Sequence, residues 1–268
     1  MKKRTLFAAL LALPFVLVVA CTKLNWPVCP PPVTLTPTPT PAPVHSAACT
    51  LSGWTLNGNA LWSSPTQIQL TAAVADQDSS AFAPTQLDLT KNFDLEFMVY
   101  LGNLPAGNGG IAFVLQSEGL NALGGLGGGD GFGELNGFPP LNPSIAIHPS
   151  VDVEIDDFPN IEFPEPAYDH IGVLENGIET TYVNLGGAAV PALPGNATVR
   201  DGAEHQFRIT WDATAKSMKV YFDGNNVTEY DKDMVATVFG GSPNVYFGMT
   251  GATGGGYELT YFRSINCN

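Results

Sequence analysis

Between Lys91 and Arg200 the sequence contains no lysine or arginine, and near the middle of that gap seven carboxylates fall within residues 152–169. Drawn together in a fold without a basic partner, these groups would repel one another strongly. The positive charge must therefore come from outside the segment. A hard divalent cation meets that need, because calcium takes six to eight oxygens from carboxylates, amide carbonyls and backbone carbonyls, and the imidazole of His170 admits a transition metal beside it. A solvated acidic loop is the competing reading, but here the carboxylates alternate with apolar residues, as on a half-buried strand.

The spacing sharpens the argument. On a strand from Val151 to Asp156, Val151, Val153 and Ile155 point to one face and Asp152, Glu154 and Asp156 to the other. Glu154 and Asp156 are then neighbours about 7 Å apart at their Cα atoms, from a rise of about 3.3 Å per residue. Asp157, Pro159, Pro164 and Pro166 end the strand and let Asn160 and Glu165 fold back toward it. His170 opens the next apolar run, His-Ile-Gly-Val-Leu, which reads as a further strand.

The remainder of the chain bounds the class of protein. Lys2-Lys3-Arg4 followed by apolar residues to Ala20 reads as a secretory signal, and Val18-Val19-Ala20-Cys21 resembles a bacterial lipobox, in which Cys21 is acylated. Residues 22–46, with the Pro/Thr stretch 30–43, favour extended polyproline II and form a tether. The division expected is thus a signal peptide over 1–20, the lipidated Cys21 with its tether over 21–47, and one domain over 48–268. The chain has 11 basic and 25 acidic residues, a formal charge of −14. Losing residues 1–20 removes three basic and no acidic residues and makes the charge −17. Such a surface argues against nucleic acid and against electrostatic adhesion to anionic lipid; membrane contact is expected through the lipid anchor alone, at a bacterial cell envelope or surface. Cys49 and Cys267 bracket the domain and are placed for a disulfide if the first and last strands are neighbours, which leaves Cys29 without an assigned partner.

Within 48–268 the pattern is of short β runs between glycine-rich turns: Gln67–Val74, Phe93–Leu101, Gly110–Gln116, Ser144–His148, Val151–Asp156, His170–Leu174, His205–Trp211, Met218–Asp223, Asn244–Thr250 and Tyr257–Ile265. Phe93, Leu95, Phe97, Val99 and Leu101 alternate with Asp94, Glu96 and Tyr100, the mark of one buried and one wetter face. Such runs, without a 3.6-residue periodicity, predict an all-β, two-sheet antiparallel jelly-roll sandwich, with Phe207, Trp211, Tyr221 and Phe222 packing inside it and His148 and His205 serving structure. Glycine-rich segments at 123–133 and 251–256 lack the features of a phosphate loop. Glycine there lets backbone N–H groups approach a ligand closely.

Glu154-Ile-Asp156-Asp-Phe158-Pro-Asn160, then Glu165, then His170 resembles, in every spacing, the metal motif of the L-type (legume-lectin-like) lectins. Residues 54–60, 110–116, 205–224 and 246–255 resemble further segments of that family. The resemblance implies a concanavalin-like sandwich and a carbohydrate-binding protein, not an enzyme. It implies that Glu154 and His170 ligate a transition metal such as Mn2+, that Asp156 and Glu165 bridge both ions, and that Asn160 and the Phe158 carbonyl complete a Ca2+ shell; Glu165 stands where the family usually has Asp. A glycan would then meet Asn160, the ring of Phe158 and the backbone of Thr253, Gly254 and Gly255.

One position departs from the pattern. Sugar-binding members usually carry Asp just before the Gly-Ile-Ala-Phe strand; here that position is Gly109, and Asn108 and Asp130 are the substitute acceptors within reach in the sequence. Two other functions follow from such differences. A metal-stabilised adhesion or scaffold module without sugar binding is consistent with Gly109. A jelly-roll glycoside hydrolase would place a third acid on the same strand, where this sequence has Pro159.

Overall fold

The computed structural model describes residues 51–104, 107–135, 140–160 and 165–265. The signal and tether segments, with Cys21, Cys29, Cys49 and Cys267, lie outside the described residues, so lipidation and the disulfide are expectations on which the fold does not bear.

Two antiparallel sheets face one another. The first runs in the order β1 (Thr55–Gly58), β4 (Gln77–Phe82), β14 (Asn244–Thr253), β7 (Gly110–Gln116), β8 (Ser150–Asp156), β9 (His170–Glu175) and β10 (Val190–Pro191), with β5 (Leu87–Asp88) beside one end of β14. The second runs β13 (Asn225–Asp231), β12 (Ser217–Phe222), β11 (Glu204–Asp212), β6 (Phe93–Tyr100), β15 (Thr260–Ser264), β3 (Gln67–Thr71) and β2 (Leu61–Ser64). The expected all-β sandwich is the fold found, and the longest α-helix among the described residues is the single turn α1 (Met234–Thr237).

Alternation builds the core. Phe97, Phe207, Trp211, Phe222 and Phe262 point inward from the second sheet and meet Ile111, Phe113, Val153 and Ile155 from the first. The Phe97 and Phe113 rings lie 6.0 Å apart across the gap, and the indole N–H of buried Trp211 donates to the Leu89 carbonyl at 2.9 Å. Strand β7 carries no such alternation because it is buried on both faces. Ile111, Phe113 and Leu115 enter the inter-sheet core, whereas Ala112 and Val114 pack outward against Phe82, Phe132, Ile147 and Leu174 under the glycine-rich segment. The short β12–β13 hairpin turns on Asp223 and Gly224, both at positive φ (47° and 76°), as a two-residue turn with matching twist requires.

Two expectations need correction, and one strand lies outside the expected runs. Ser144–His148 is not a strand: Asn142 Oδ1 accepts from the Ser144 hydroxyl at 2.6 Å and from its N–H, and the Ile145 N–H returns to the Asn142 carbonyl, so local bonds fold the run into a turn. Tyr221 does not pack inside the sandwich; it lies on the outer face with the Arg208 guanidinium 5.1 Å above its ring. Strand β4 opens with the polar run Gln-Asp-Ser-Ser and is not among the expected β runs, yet it is largely buried, because the Ser79 hydroxyl donates to the Leu70 carbonyl at 2.5 Å and the Ser80 hydroxyl to the Ala122 carbonyl at 2.6 Å.

Candidate metal and ligand site

The pairing of β8 with β9 sets Asp156 opposite His170 and Glu154 opposite Gly172. Directly opposed residues in an antiparallel pair project to the same face, so both carboxylates and the imidazole meet on the outer face of the first sheet, as the alternation predicts. Ligand atoms of Asp156, Glu165 and His170 lie within 4.8 Å of one another. His170 Nε2 is 3.4 Å from Glu154 Oε1 and 3.9 Å from Asp156 Oδ2. Glu154 and His170 are only 5% and 1% exposed.

The loop after β8 is tied back in two places. Asp156 Oδ1 accepts the Phe158 N–H at 2.7 Å, and Glu165 Oε2 accepts the Asn160 N–H at 2.5 Å. These bonds return Glu165 to the strand end across the prolines. They also aim the Asn160 side chain at the glycine-rich segment, where a Cβ on Gly128 would stand 2.6 Å from Asn160 Nδ2. Phe158, 39% exposed, stands at the rim.

The electrostatics are those of a charge-deficient cluster. Burial pushes the Asp156 carboxyl well above the usual range; His170 pulls it back, while Glu165 and Glu154 push it further up. Glu165 rises to about 7, chiefly through burial. Burial alone would lower His170, but its hydrogen bond to Glu154 and the charges of Asp156, Glu154 and Glu165 push it up to about 9. Glu154 Oε1 is sealed from solvent and His170 Nε2, at 3.4 Å, is too loosely placed to satisfy it fully, a costly state for a carboxylate oxygen. Oxygen-rich, imidazole-containing and short of positive charge, this donor set fits a hard cation beside a borderline one.

Some partners were not legible in the sequence. The Tyr182 hydroxyl lies 3.0 Å from His170 Nε2, on the side of the ring nitrogen nearest Glu154. Its one signal is Gly172 in the middle of an apolar strand, a pattern that marks close approach. A Cβ on Gly172 would meet Tyr182 Cε1 at 2.2 Å and Glu154 Oε1 at 2.8 Å. Glu179, also buried, accepts the Leu135 N–H at 3.1 Å. The acidic segment is not wholly without a basic partner either: Arg200, remote in sequence, reaches Asp169 at 3.7 Å and donates to the Gly107 carbonyl. Among the described residues no lysine or arginine pairs with Glu154, Asp156 or Glu165.

The remaining candidates are distributed around this cluster. Gly109 donates its N–H to Asp157 Oδ1 at 3.3 Å, and a Cβ there would stand 2.9 Å from the Ala252 carbonyl, so a larger residue at 109 needs a shifted backbone. Asn108 packs against Gly256, whose Cβ would stand 2.4 Å from Asn108 Cβ. The Thr253 hydroxyl is committed to the Val74 carbonyl at 2.8 Å and to the Gln77 N–H, leaving only its backbone for a ligand. Gly254 abuts Gly127, with 3.3 Å from its Cβ position to the Gly127 Cα, while Gly255 is open. Pro159 stands where a hydrolase strand would carry its third acid.

Residues 45–266 match the family model described as the legume lectin beta-barrel domain. Solved structures share the fold at low identity. Lectin I-B4 from Griffonia simplicifolia, in a metal-free form, is 21% identical with a TM-score of 0.60, covering 79% of this chain and 90% of that one. The Bauhinia forficata lectin, in complex with GalNAc, is 23% identical with a TM-score of 0.61 over 80% and 90% of the two chains. Peanut lectin is 18% identical with a TM-score of 0.61 over 82% and 92%.

Proposed function

The chain belongs to the legume lectin β-barrel family, whose members are carbohydrate-binding domains, and from that premise we propose that it is a calcium- and manganese-dependent lectin held at a bacterial cell surface by a lipid on Cys21. The observation that carries the reading is the convergence of buried Glu154, Asp156 and His170 and half-buried Glu165 with an Asn160 side chain turned toward the glycine-rich segment. Glu154 and His170 would hold the transition metal, Asp156 and Glu165 both ions, and Asn160 with the Phe158 carbonyl the calcium. When bound, the cations supply the positive charge that the carboxylates lack. Asn160 then offers a fixed amide to saccharide hydroxyls, the Phe158 ring an apolar face, and the backbone around Gly254 and Gly255 further polar contacts. The glycan-bound neighbour from Bauhinia forficata is consistent with a glycan partner.

Gly109 favours one second reading, a metal-stabilised adhesion module that takes no sugar. A glycan array run on the domain with both metals, with chelator, and as Asn160→Ala separates the two. Binding that disappears with chelator and with the substitution supports the lectin; uniform absence of binding with both metals loaded favours the adhesion module. Release of reducing sugar from a polysaccharide would point to a hydrolase instead. Retention of the intact protein in the membrane fraction, lost on Cys21→Ser, tests the anchor.

A further inference from the structure

Asp130 closes the 3₁₀ turn Gly127–Gly129 in a left-handed conformation, φ 44° and ψ 25°, with its N–H on the Gly127 carbonyl at 3.1 Å. Its own carbonyl accepts the Thr250 hydroxyl of β14 at 2.8 Å. The backbone is thus fixed at both ends. Its side chain lies over Gly110, where a Cβ would come within 2.2–2.4 Å of the carboxylate atoms; only glycine at 110 admits it. Gly110 pairs with Asp156 on β8, so the Asp130 carboxylate lies on the face that carries Asp156, yet outside the Asp156–Glu165–His170 group.

The residue is 3% exposed, and no donor among the described residues reaches its carboxylate. Its oxygens are nevertheless not among the sealed unpartnered atoms, which include those of Asp157, Glu179 and Glu258. A nearly buried carboxylate that lacks a donor but keeps an opening is built to receive one. Two residues earlier in the same turn, Gly128 abuts the Asn160 amide. An acceptor and an amide therefore flank one glycine turn. Asn108, the other acceptor available, is turned against Gly256.

We infer that Asp130 is the ligand-facing carboxylate of this site, accepting hydrogen bonds from adjacent hydroxyls of a neutral saccharide, and that it takes from the glycine-rich turn the place that Gly109 leaves vacant at the strand entrance. The inference rests on the lectin reading. Because a carboxylate only accepts hydrogen bonds, an anionic group of a sialylated, sulfated or uronic-acid glycan set against Asp130 would face it acceptor to acceptor with no proton between them, and such glycans are disfavoured there. Asp130→Asn tests it, since asparagine keeps the shape and tolerates the left-handed backbone.

With both metals loaded, the wild type is expected to bind neutral glycans and not their acidic counterparts. Asp130→Asn is expected to lose about tenfold or more in affinity, with metal content and melting temperature unchanged. Affinity kept within about twofold, loss of metal together with sugar, or preference for acidic glycans overturns the assignment while leaving the lectin reading standing. Absence of glycan binding by the metal-loaded wild type overturns both.

Discussion

Gly172 stands opposite Glu154 across β8 and β9, and the space its missing side chain leaves is shared by the Glu154 carboxylate and the Tyr182 ring. The glycine is therefore part of the site, although it bears no chemistry of its own. Gly172→Ala is expected to destabilise the fold by about 1–3 kcal/mol through overpacking and to weaken manganese binding more than calcium binding, because the displaced groups are Glu154 and, through Tyr182, His170. Thermal melts and separate titrations of the two metals measure this. Unchanged affinity for both would show that Glu154 has room to spare.

Removing cations should leave the acidic cluster uncompensated. A chelator is expected to lower the melting temperature, with calcium or manganese restoring it; metal at a hundred times its dissociation constant stabilises the folded state by about 2.7 kcal/mol. Differential scanning calorimetry on the same sample before and after dialysis against chelator gives the answer. Coincident melts would remove the metal centre as a source of stability.

The metal-free domain should become less stable as pH rises. Glu165, raised in the fold to about 7 by burial, binds a proton that the unfolded chain releases near the ordinary glutamate value of 4.5, so its contribution declines between those values. His170, raised to about 9 against an ordinary histidine value of 6.5, contributes most below the lower figure and loses that contribution as pH climbs through the higher. Both act in the same direction. Metal-loaded protein should show the opposite trend on the acid side, because the ligands must shed protons to bind. A metal-free melting temperature that increases from pH 5 to 8 would refute the buried-acid account.

Away from the site, the His205 imidazole stacks on Phe222 and its Nδ1 lies 2.8 Å from Asp223 Oδ2. Burial works against a proton on His205, but Asp223 and Asp201 outweigh it and raise its pKa. Asp223→Asn keeps the hairpin conformation and the acceptor for the Gln206 N–H. It should cost about 0.5–1 kcal/mol below pH 6, for a partly exposed pair. The cost should shrink once pH passes the raised value and the imidazole is neutral. Urea titrations at pH 5.5 and 9 compare the two, and an equal cost at both would assign the effect to something other than the charge.

What the sequence by itself determined is whatever depends on neighbours along the chain. Period-two alternation assigns Val151, Val153 and Ile155 to the core and Glu154 and Asp156 to the outer face, and the prolines mark where β8 ends. The spacing through Asn160 and Glu165 to His170 carries the acidic motif. Each of these is set by backbone sterics acting over a few residues, and the structure agrees with each.

Only the tertiary structure decided what meets the motif from elsewhere. Arg200 reaches Asp169 because Thr198 and Val199 beside it donate to the same carboxylate, Tyr182 reaches His170 over the gap at Gly172, and Asp130 reaches Gly110 because the glycine-rich turn folds back over β7. Buried Ser79 and Ser80, outside the expected β runs, find their acceptors in the Leu70 and Ala122 carbonyls. In all of these the partner is set by which strands lie side by side, and strand order is a property of the assembled sandwich that local periodicity does not encode.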